Sequence, residues 1–412
     1  MKILFLLPTD GSNGGYNGGG WIRSLLERLR SIQELSIVVV SFQKTGFVRD
    51  ENGMKYVGIE APRSSLINKV LGQLSPHLRI AFEDKKCDRY VQVLSDVVNR
   101  IQPDIIQVFG SETYTGLVSC GTSVPVISHI QGLHIPYRNA YLPPFFSWKD
   151  YIMSDFNLLK ILRRRGVPTS RIIDCNRELR VLKHTHYYMG RTDWDHRLIR
   201  LFNKDAKYFH CDEILRDIFY QKEARVIPQR LKIVSTISVP LYKGYDLILK
   251  TANLLQSEVH VDFEWDVYGN VDPIAVEKKT GISHSKVNVN LKGVTNAENL
   301  KKELLCSTVY VHPSYIDNSP NSLCEAQISG CTTIATYVGG VPSLIENGKT
   351  GFLVPANDPY QLASLINTLF LNPKKNMEIG VNGQIIAMKR HDPEMIIKNL
   401  LDVYNNILSY NG

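Results

Sequence analysis

The sequence predicts an α/β protein made of two doubly wound parallel-sheet domains, and three observations carry that reading. Apolar, strand-length runs alternate with amphipathic helical segments in both halves of the chain. Those runs are continuous rather than alternating, as expected for parallel strands covered on both faces. Twice, a strand runs into a glycine-rich or polar loop and then a helix, an arrangement that turns backbone amides toward a ligand.

The first strand is KILFLLP. It enters a loop containing Gly11, Gly14, Gly15, Gly18, Gly19 and Gly20, and the helical run WIRSLLERLRSI follows. The loop is longer and looser than the dinucleotide fingerprint G-x-G-x-x-G, and the next strand, LSIVVVSFQK, ends in Gln43–Lys44 rather than an acid. A nicotinamide site is therefore disfavoured. The alternation continues through KYVGIE (strand), DKKCDRYVQVLSDVVNRI (helix), PDIIQVFG (strand), SETYTGLVSCG (helix, with Ser111 and Glu112 in its first turn) and VPVISHIQG (strand). Strand ends in such sheets face the ligand crevice, which makes Glu112, His129, Gln131 and His134 candidates. Gln131 can hydrogen-bond a hydroxyl but cannot act as acid or base. His129 is equally readable as a satisfied core histidine.

From Tyr137 the alternation fails. Residues 137–183 mix aromatics, Pro143–Pro144 and basic residues, and fit two helices, about Tyr151–Arg165 and Ser170–Lys183. The first ends in Arg163–Arg164–Arg165. It reads either as a basic amphipathic helix for an anionic membrane surface or as an ordinary packed insertion. Between Lys149 and Arg200 there are 12 Lys and Arg against 6 Asp and Glu, so most of the chain's formal charge of +8 lies there.

THYYMG is then a strand, and GRTDWDHRL opens a helix capped by Thr192 or Asp193. The second half begins near Glu223, with RLKIVSTIS as strand and YKGYDLILKTANLL as helix, then VDFEWDVYGN and KVNVNLKGVTN as strands and NAENLKKELLCS as helix. The next stretch, Val309 to Pro355, reads as strand, polar loop, helix, strand, glycine turn, short helix and short strand. Asp317 stands before that helix and Glu325 inside it. Three helices close the chain, each begun by Asn or Asp near Pro.

Composition excludes several classes. At 412 residues, with 43% hydrophobic and 21% charged residues, the chain has room for two or three cores. No run reaches the roughly 18–20 apolar residues of a membrane span, and MKILFLLPTDG reads as a strand rather than a signal peptide. Seven cysteines without C-x-x-C point to free thiols in a reducing compartment, and hence to a cytoplasmic location. The eleven histidines show no metal-ligand spacing with them.

The stretch Asp317–x7–Glu325, followed by YVGGVPSLIENGKTGFLVPANDP, resembles the donor-binding signature of the family 4 retaining glycosyltransferases, the glycosyl transferases group 1. The family's usual Glu is Asp317 here. GRTDW with CDEILRDIFY resembles a bacterial branch of that family, and Lys243–Gly244 resembles its Arg-x4-Lys-Gly, with Ser238 where the Arg would stand. Lys292–Gly293–Val294 resembles the segment that binds the base. The resemblance implies the GT-B arrangement: an N-terminal Rossmann-like domain over 1–190 on the acceptor side, a donor domain over 191–390, a cleft between them, and a helix over 391–412 crossing back. It implies a hexosyltransferase-type enzyme that moves a sugar from a UDP-, GDP- or similar nucleotide sugar to a glycan or lipid-linked acceptor in bacterial surface polysaccharide biosynthesis. No cofactor, metal or nucleic acid is expected, and contact with an anionic membrane at the inner face is one reading of the basic segment. Lys243, Asp317 and Glu325 are implied as catalytic. Donor contacts are implied for Gly18, Gly19, Gly20, Gln131, Arg191, Lys243, Gly269, Gly293, Val294, Asp317, Asn318, Ser319, Asn321, Ser322, Leu323 and Glu325. Acceptor contacts are implied for Asn17, Glu112, His129, His134 and Arg216. Arg191 would stand in for the missing cation at Ser238, or else form a structural ion pair, as would Arg216. Two other readings are a non-hydrolysing nucleotide-sugar epimerase and a catalytically weak nucleotide-sugar-binding partner in a glycan-assembly complex.

Overall fold

The structure, a computed structural model, describes residues 1–8, 20–51, 53–63, 75–155 and 157–411. The chain divides into two units. The first comprises Met1–Arg138, Gly166–Ile214 and Pro393–Gly412, and the second Asn139–Arg165 and Leu215–Asp392. Sequence reading placed all of 137–183 in the first domain and began the second at 191. In the structure, residues 139–165 belong to the second unit, because Tyr141, Leu142, Phe146 and Tyr151 pack on that unit's core.

The first unit holds an eight-stranded sheet of β1 (Lys2–Leu7), β2 (Ser36–Gln43), β3 (Phe47–Glu51), β4 (Met54–Glu60), β5 (Ile105–Phe109), β6 (Val126–His129), β7 (Tyr187–Gly190) and β8 (Lys207–His210). Their order is β3-β4-β2-β1-β5-β6-β7-β8. Every pairing is parallel except β3 with β4. Neither β3 nor β8 was expected. Both are short edge strands with exposed positions, which carry little of the apolar signal that marks central strands. Ile3, Phe5 and Leu7 of β1 face one core, completed by Trp21, Ile22 and Leu25 of the helix Gly20–Leu29 and by Ile396, Leu400, Val403 and Tyr404 of the final helix, Pro393–Asn411. Leu4 and Leu6 face the opposite core, under the helix Pro76–Ile101.

The second unit holds a six-stranded, wholly parallel sheet of β9 (Leu231–Thr236), β10 (Phe263–Tyr268), β11 (Val289–Gly293), β12 (Val309–His312), β13 (Thr333–Thr336) and β14 (Phe352–Val354). The order β11-β10-β9-β12-β13-β14 reverses direction between β9 and β12. This is a topological switch point, where open α/β sheets leave a crevice outside the strand ends. The three tail helices are Pro359–Leu371, Pro373–Arg390 and Pro393–Asn411.

Two helical expectations need correction. Tyr151–Arg165 is two helices, Trp148–Ile152 and Leu158–Arg165. Asp155 accepts from the Asn157 amide at 3.0 Å, and Asn157 in turn accepts from Leu159 and Lys160, so side-chain oxygens take the bonds a continuous helix would need. SETYTGLVSCG is a short 3₁₀ segment, Tyr114–Cys120, with Ser111 and Glu112 ahead of it. All seven cysteines are free. Among the described residues, no helix is long and apolar enough to cross a membrane.

Trp265 on β10 is fully buried, and its Nε1 donates to Ser235 Oγ at 3.0 Å. Trp265→Ala is expected to lower the stability of the second unit by about 3–5 kcal/mol, read as an earlier denaturant midpoint by intrinsic fluorescence and circular dichroism.

Candidate functional site

The strands on either side of the switch point in the second unit each lead into a loop that carries a charge. After β9 the chain turns through Lys243–Gly244 into the helix Tyr245–Leu254, and after β12 it passes through 313–320 into the helix Asn321–Ile328. Lys243 Nζ meets Asp317 Oδ2 in an ion pair, with both side chains nearly buried. His312, at the end of β12, lies 2.9 Å from the same oxygen through Nε2, and Ser314 Oγ donates to it at 3.3 Å. The Asn318 amide donates to Asp317 Oδ1 at 3.2 Å.

Two glycines make this approach possible. Gly244 has φ +74°, and a Cβ there would lie 2.0 Å from the Pro313 carbonyl oxygen. Gly339 has φ +52°, and a Cβ there would lie 1.9 Å from the Asp317 carbonyl oxygen. The Gly340 amide donates to that carbonyl at 2.9 Å. A side chain at Gly244 would push the Lys243 loop off the Pro313 carbonyl, and one at Gly339 would displace the Asp317 backbone.

Burial by itself would raise the Asp317 carboxyl, but the Lys243 ammonium and the hydrogen bond from His312 hold it well below the usual range. The opposition runs the other way at Lys243: burial lowers it, Asp317 outweighs that, and the ammonium is kept charged. Burial lowers His312 despite Asp317, so its imidazole is neutral at physiological pH. The result is a fixed ammonium–carboxylate pair beside a neutral imidazole.

Glu325, nearly buried on the helix Asn321–Ile328, receives both arms of Arg216, Nε to Oε1 at 2.7 Å and Nη2 to Oε2 at 2.7 Å. The Arg216 guanidinium also stands over the Phe219 ring. Arg216, expected to face an acceptor, thus positions Glu325. The helix starts at Pro320, which offers no side-chain cap. Asn318, Ser319 and Leu323 are buried, and Ser322 Oγ accepts from Tyr310 OH at 2.9 Å. Asn321 opens the helix. Gly269 (φ +124°) packs its α-carbon against the Ile237 carbonyl, Gly293 ends β11 at φ +71°, and Val294 is exposed. Ser238, where the resemblance implied a cation, is exposed.

The remaining predicted residues lie in the first unit. Gly20 opens the helix after the glycine loop, while Asn17, Gly18 and Gly19 fall outside the described residues. Arg191 is buried, with Nε 3.1 Å from Glu213 Oε2 and its guanidinium 4.5 Å over the Trp21 ring. Its charge is taken up by a structural ion pair, the second of the two roles expected for it. His129 is buried against Trp21, and burial together with Arg191 keeps it neutral. Gln131 is partly buried.

Glu112 accepts from the Gly132 amide at 2.8 Å; burial and Glu178 push its carboxyl up to about 7. Glu178 escaped sequence reading. From the helix Val167–His184 it accepts from Ser111 Oγ and from the amides of His134 and Ile135, which open the next helical turn. Burial, only partly offset by those bonds, pushes it up to about 7 as well. Burial lowers His134 to about 4. No local pattern marks Glu178, whereas His312 was open to the rule that strand ends face the crevice.

Residues 219–385 match the family described as Glycosyl transferases group 1. The chain is 25% identical to the amylovoran biosynthesis glycosyltransferase AmsK of Erwinia amylovora over 69% of this chain and 74% of that one. It spans only 30% to 38% of the length of three further curated relatives that it matches. Among solved structures, a sucrose-phosphate synthase from Thermosynechococcus elongatus shares the fold over 100% of both chains, with a TM-score of 0.71 and 14% identity. The Anabaena protein HepE, in complex with UDP and glucose, does so over 98% of this chain and 100% of that one, with a TM-score of 0.65 and 15% identity. The fold, two parallel-sheet units, is that of the GT-B glycosyltransferases. Residues 219–385 thus carry a glycosyl transferases group 1 domain, and the relatives that the chain resembles include glycosyltransferases.

Glu178 yields a pH prediction. Its carboxyl is raised from an ordinary 4.5 to about 7 in the folded state. Between those values the folded protein binds more protons than the unfolded chain, so this group's contribution to stability falls as pH rises. Glu178→Gln is expected to flatten the decline of melting temperature across that window relative to the parent, measured by calorimetry at matched ionic strength.

Proposed function

We propose that the chain is a retaining glycosyltransferase. In this reading it moves a sugar from a nucleotide-diphosphate sugar to a glycan or lipid-linked acceptor in bacterial surface polysaccharide biosynthesis. The observation that carries the reading is the buried Lys243–Asp317 pair at the switch point, followed by Glu325 eight residues on. A nucleotide-sugar donor leaves behind an anionic diphosphate, so the main chemical need is a fixed positive field where that charge grows. Lys243 supplies a permanent ammonium, and the helix Asn321–Ile328 aims its positive end at the same loop. Asp317 is suited to accept from sugar hydroxyls, and Glu325, oriented by Arg216, from the ribose hydroxyls. With these groups in place, no metal is assigned a role.

Two relatives support the finer points. AmsK is named for amylovoran biosynthesis, which favours a polysaccharide role. HepE was solved with UDP and glucose, which favours a uridine nucleotide sugar. The exposed Ser238, where the family's second cation would stand, favours a second reading in which the site binds a nucleotide sugar with weak or no transfer.

A thermal-shift screen of nucleoside diphosphates and their sugars, followed by transfer assays, separates these readings. At least one nucleoside diphosphate is expected to raise the melting temperature. Lys243→Ala is expected to lower transfer by about 10²–10³-fold. Glu325→Ala is expected to weaken donor binding by roughly tenfold, the effect of losing one charge-assisted contact. Binding without transfer to any acceptor favours the second reading. If both variants leave binding and transfer unchanged, the assignment of the site fails.

A further inference from the structure

The helix Leu158–Arg165 is inside out. A surface helix of a soluble domain buries its apolar stripe and shows its charges to water. Here Arg164 is the buried residue, 7% exposed. Its Nη2 lies 3.0 Å from Asp272 Oδ2, its Nη1 donates to Ser154 Oγ, and its guanidinium covers the Tyr151 ring. The leucines point the other way: Leu158, Leu159 and Leu162 are 68%, 76% and 54% exposed. Leu162 follows Leu158 by four residues and Leu159 by three, so the three form one continuous strip. Arg163 and Arg165 flank the strip and are exposed, as is Lys160. Earlier in the same insertion, Phe145 and Met153 are also exposed.

We infer that this strip docks on an anionic lipid surface. Charge selects that occupant. The helix carries no acidic residue, and of its four cations Arg163 and Arg165 stand exposed beside the strip, while Lys160 is paired with Asp155 and Arg164 with Asp272. The acids that precede it are already paired, Asp155 with Lys160 at 2.7 Å and Asp150 with Lys279 at 3.0 Å. Three adjacent leucines suit the acyl boundary, and arginines beside them reach headgroup phosphates while their stems stay apolar. A helix of 8 residues is about 12 Å long, too short to span a bilayer but long enough to lie in its surface. The surface deepens the reading above by giving its lipid-linked acceptor and membrane contact a place, and it is tested apart from donor binding.

The test is co-sedimentation of the full chain with vesicles of phosphatidylglycerol and phosphatidylcholine, with phosphatidylcholine vesicles as the control. Binding is expected to the anionic vesicles and to weaken as salt rises. Replacing the strip (Leu158→Ser, Leu159→Ser, Leu162→Ser) is expected to reduce partitioning by roughly tenfold or more. Arg163→Glu with Arg165→Glu is expected to do the same, and Arg163→Lys to retain binding. All variants should keep the parent's melting temperature and its shift with nucleoside diphosphate, since the substituted side chains are exposed and outside the Lys243–Asp317 site. The inference is overturned by no vesicle binding at low salt, by equal binding of all variants, or by a dimer that the leucine substitutions dissolve. If the variants lose vesicles while no nucleoside diphosphate stabilises the protein, the docking surface stands and the glycosyl-transfer reading fails.

Discussion

The buried Lys243–Asp317 pair ties together the loops at the strand ends of the second unit. Removing one partner of such a pair strands the other charge in a low dielectric, typically at a cost of about 3–5 kcal/mol. The pair therefore ties the loop after β9 to the loop after β12, across the point where the strand order reverses. His312, Ser314 and the Asn318 amide supply the further bonds that make a buried carboxylate tolerable. Gly244 and Gly339 are the backbone conditions for the contact, since each lets a chain segment lie against a carbonyl that a side chain would displace. Both backbone and charge thus converge on one small volume at the strand ends.

The two predicted carboxylates are held by different cations, and this separates their roles. Asp317 shares Oδ2 with an ammonium, a point charge with three rotatable donors that fixes distance more than orientation. Glu325 is gripped by a planar fork at two equal distances, a geometry that fixes orientation. The short side chain at position 317 holds its carboxylate within reach of Lys243 and the Asn318 amide.

The first unit uses buried charge differently. Burial raises both Glu112 and Glu178, and Glu178 raises Glu112 further, yet both accept backbone amides near the ends of β5 and β6. Arg177 donates to the Glu112 carbonyl and covers the Tyr114 ring, while Arg191 sits against Glu213 and Trp21. These bonds hold the turns that follow the strands. His129, a candidate because strand ends face a crevice, and Arg191, a candidate from the resemblance, are both buried within the unit's own packing.

Much of the architecture was legible from the residues alone. Continuous apolar runs such as KILFLLP and RLKIVSTIS, separated by amphipathic helices, determine two doubly wound sheets, because strand and helix periods are local properties of the chain. The spacing of Asp317 and Glu325 and the Lys243–Gly244 pair were likewise visible as motifs. Partners were not. Arg216 is 109 residues from Glu325 and Lys243 is 74 from Asp317, and no local pattern specifies which charge meets which. The docking of 139–165 on the second unit escaped for the same reason, whereas edge strands β3 and β8 escaped because their exposed positions carry little apolar signal. Local pattern is enough to say which segments are strand or helix and which residue types stand at their ends. Which buried charges pair, and which way a basic helix turns its arginine, is settled by folding, because desolvation and pairing depend on what surrounds a group in space.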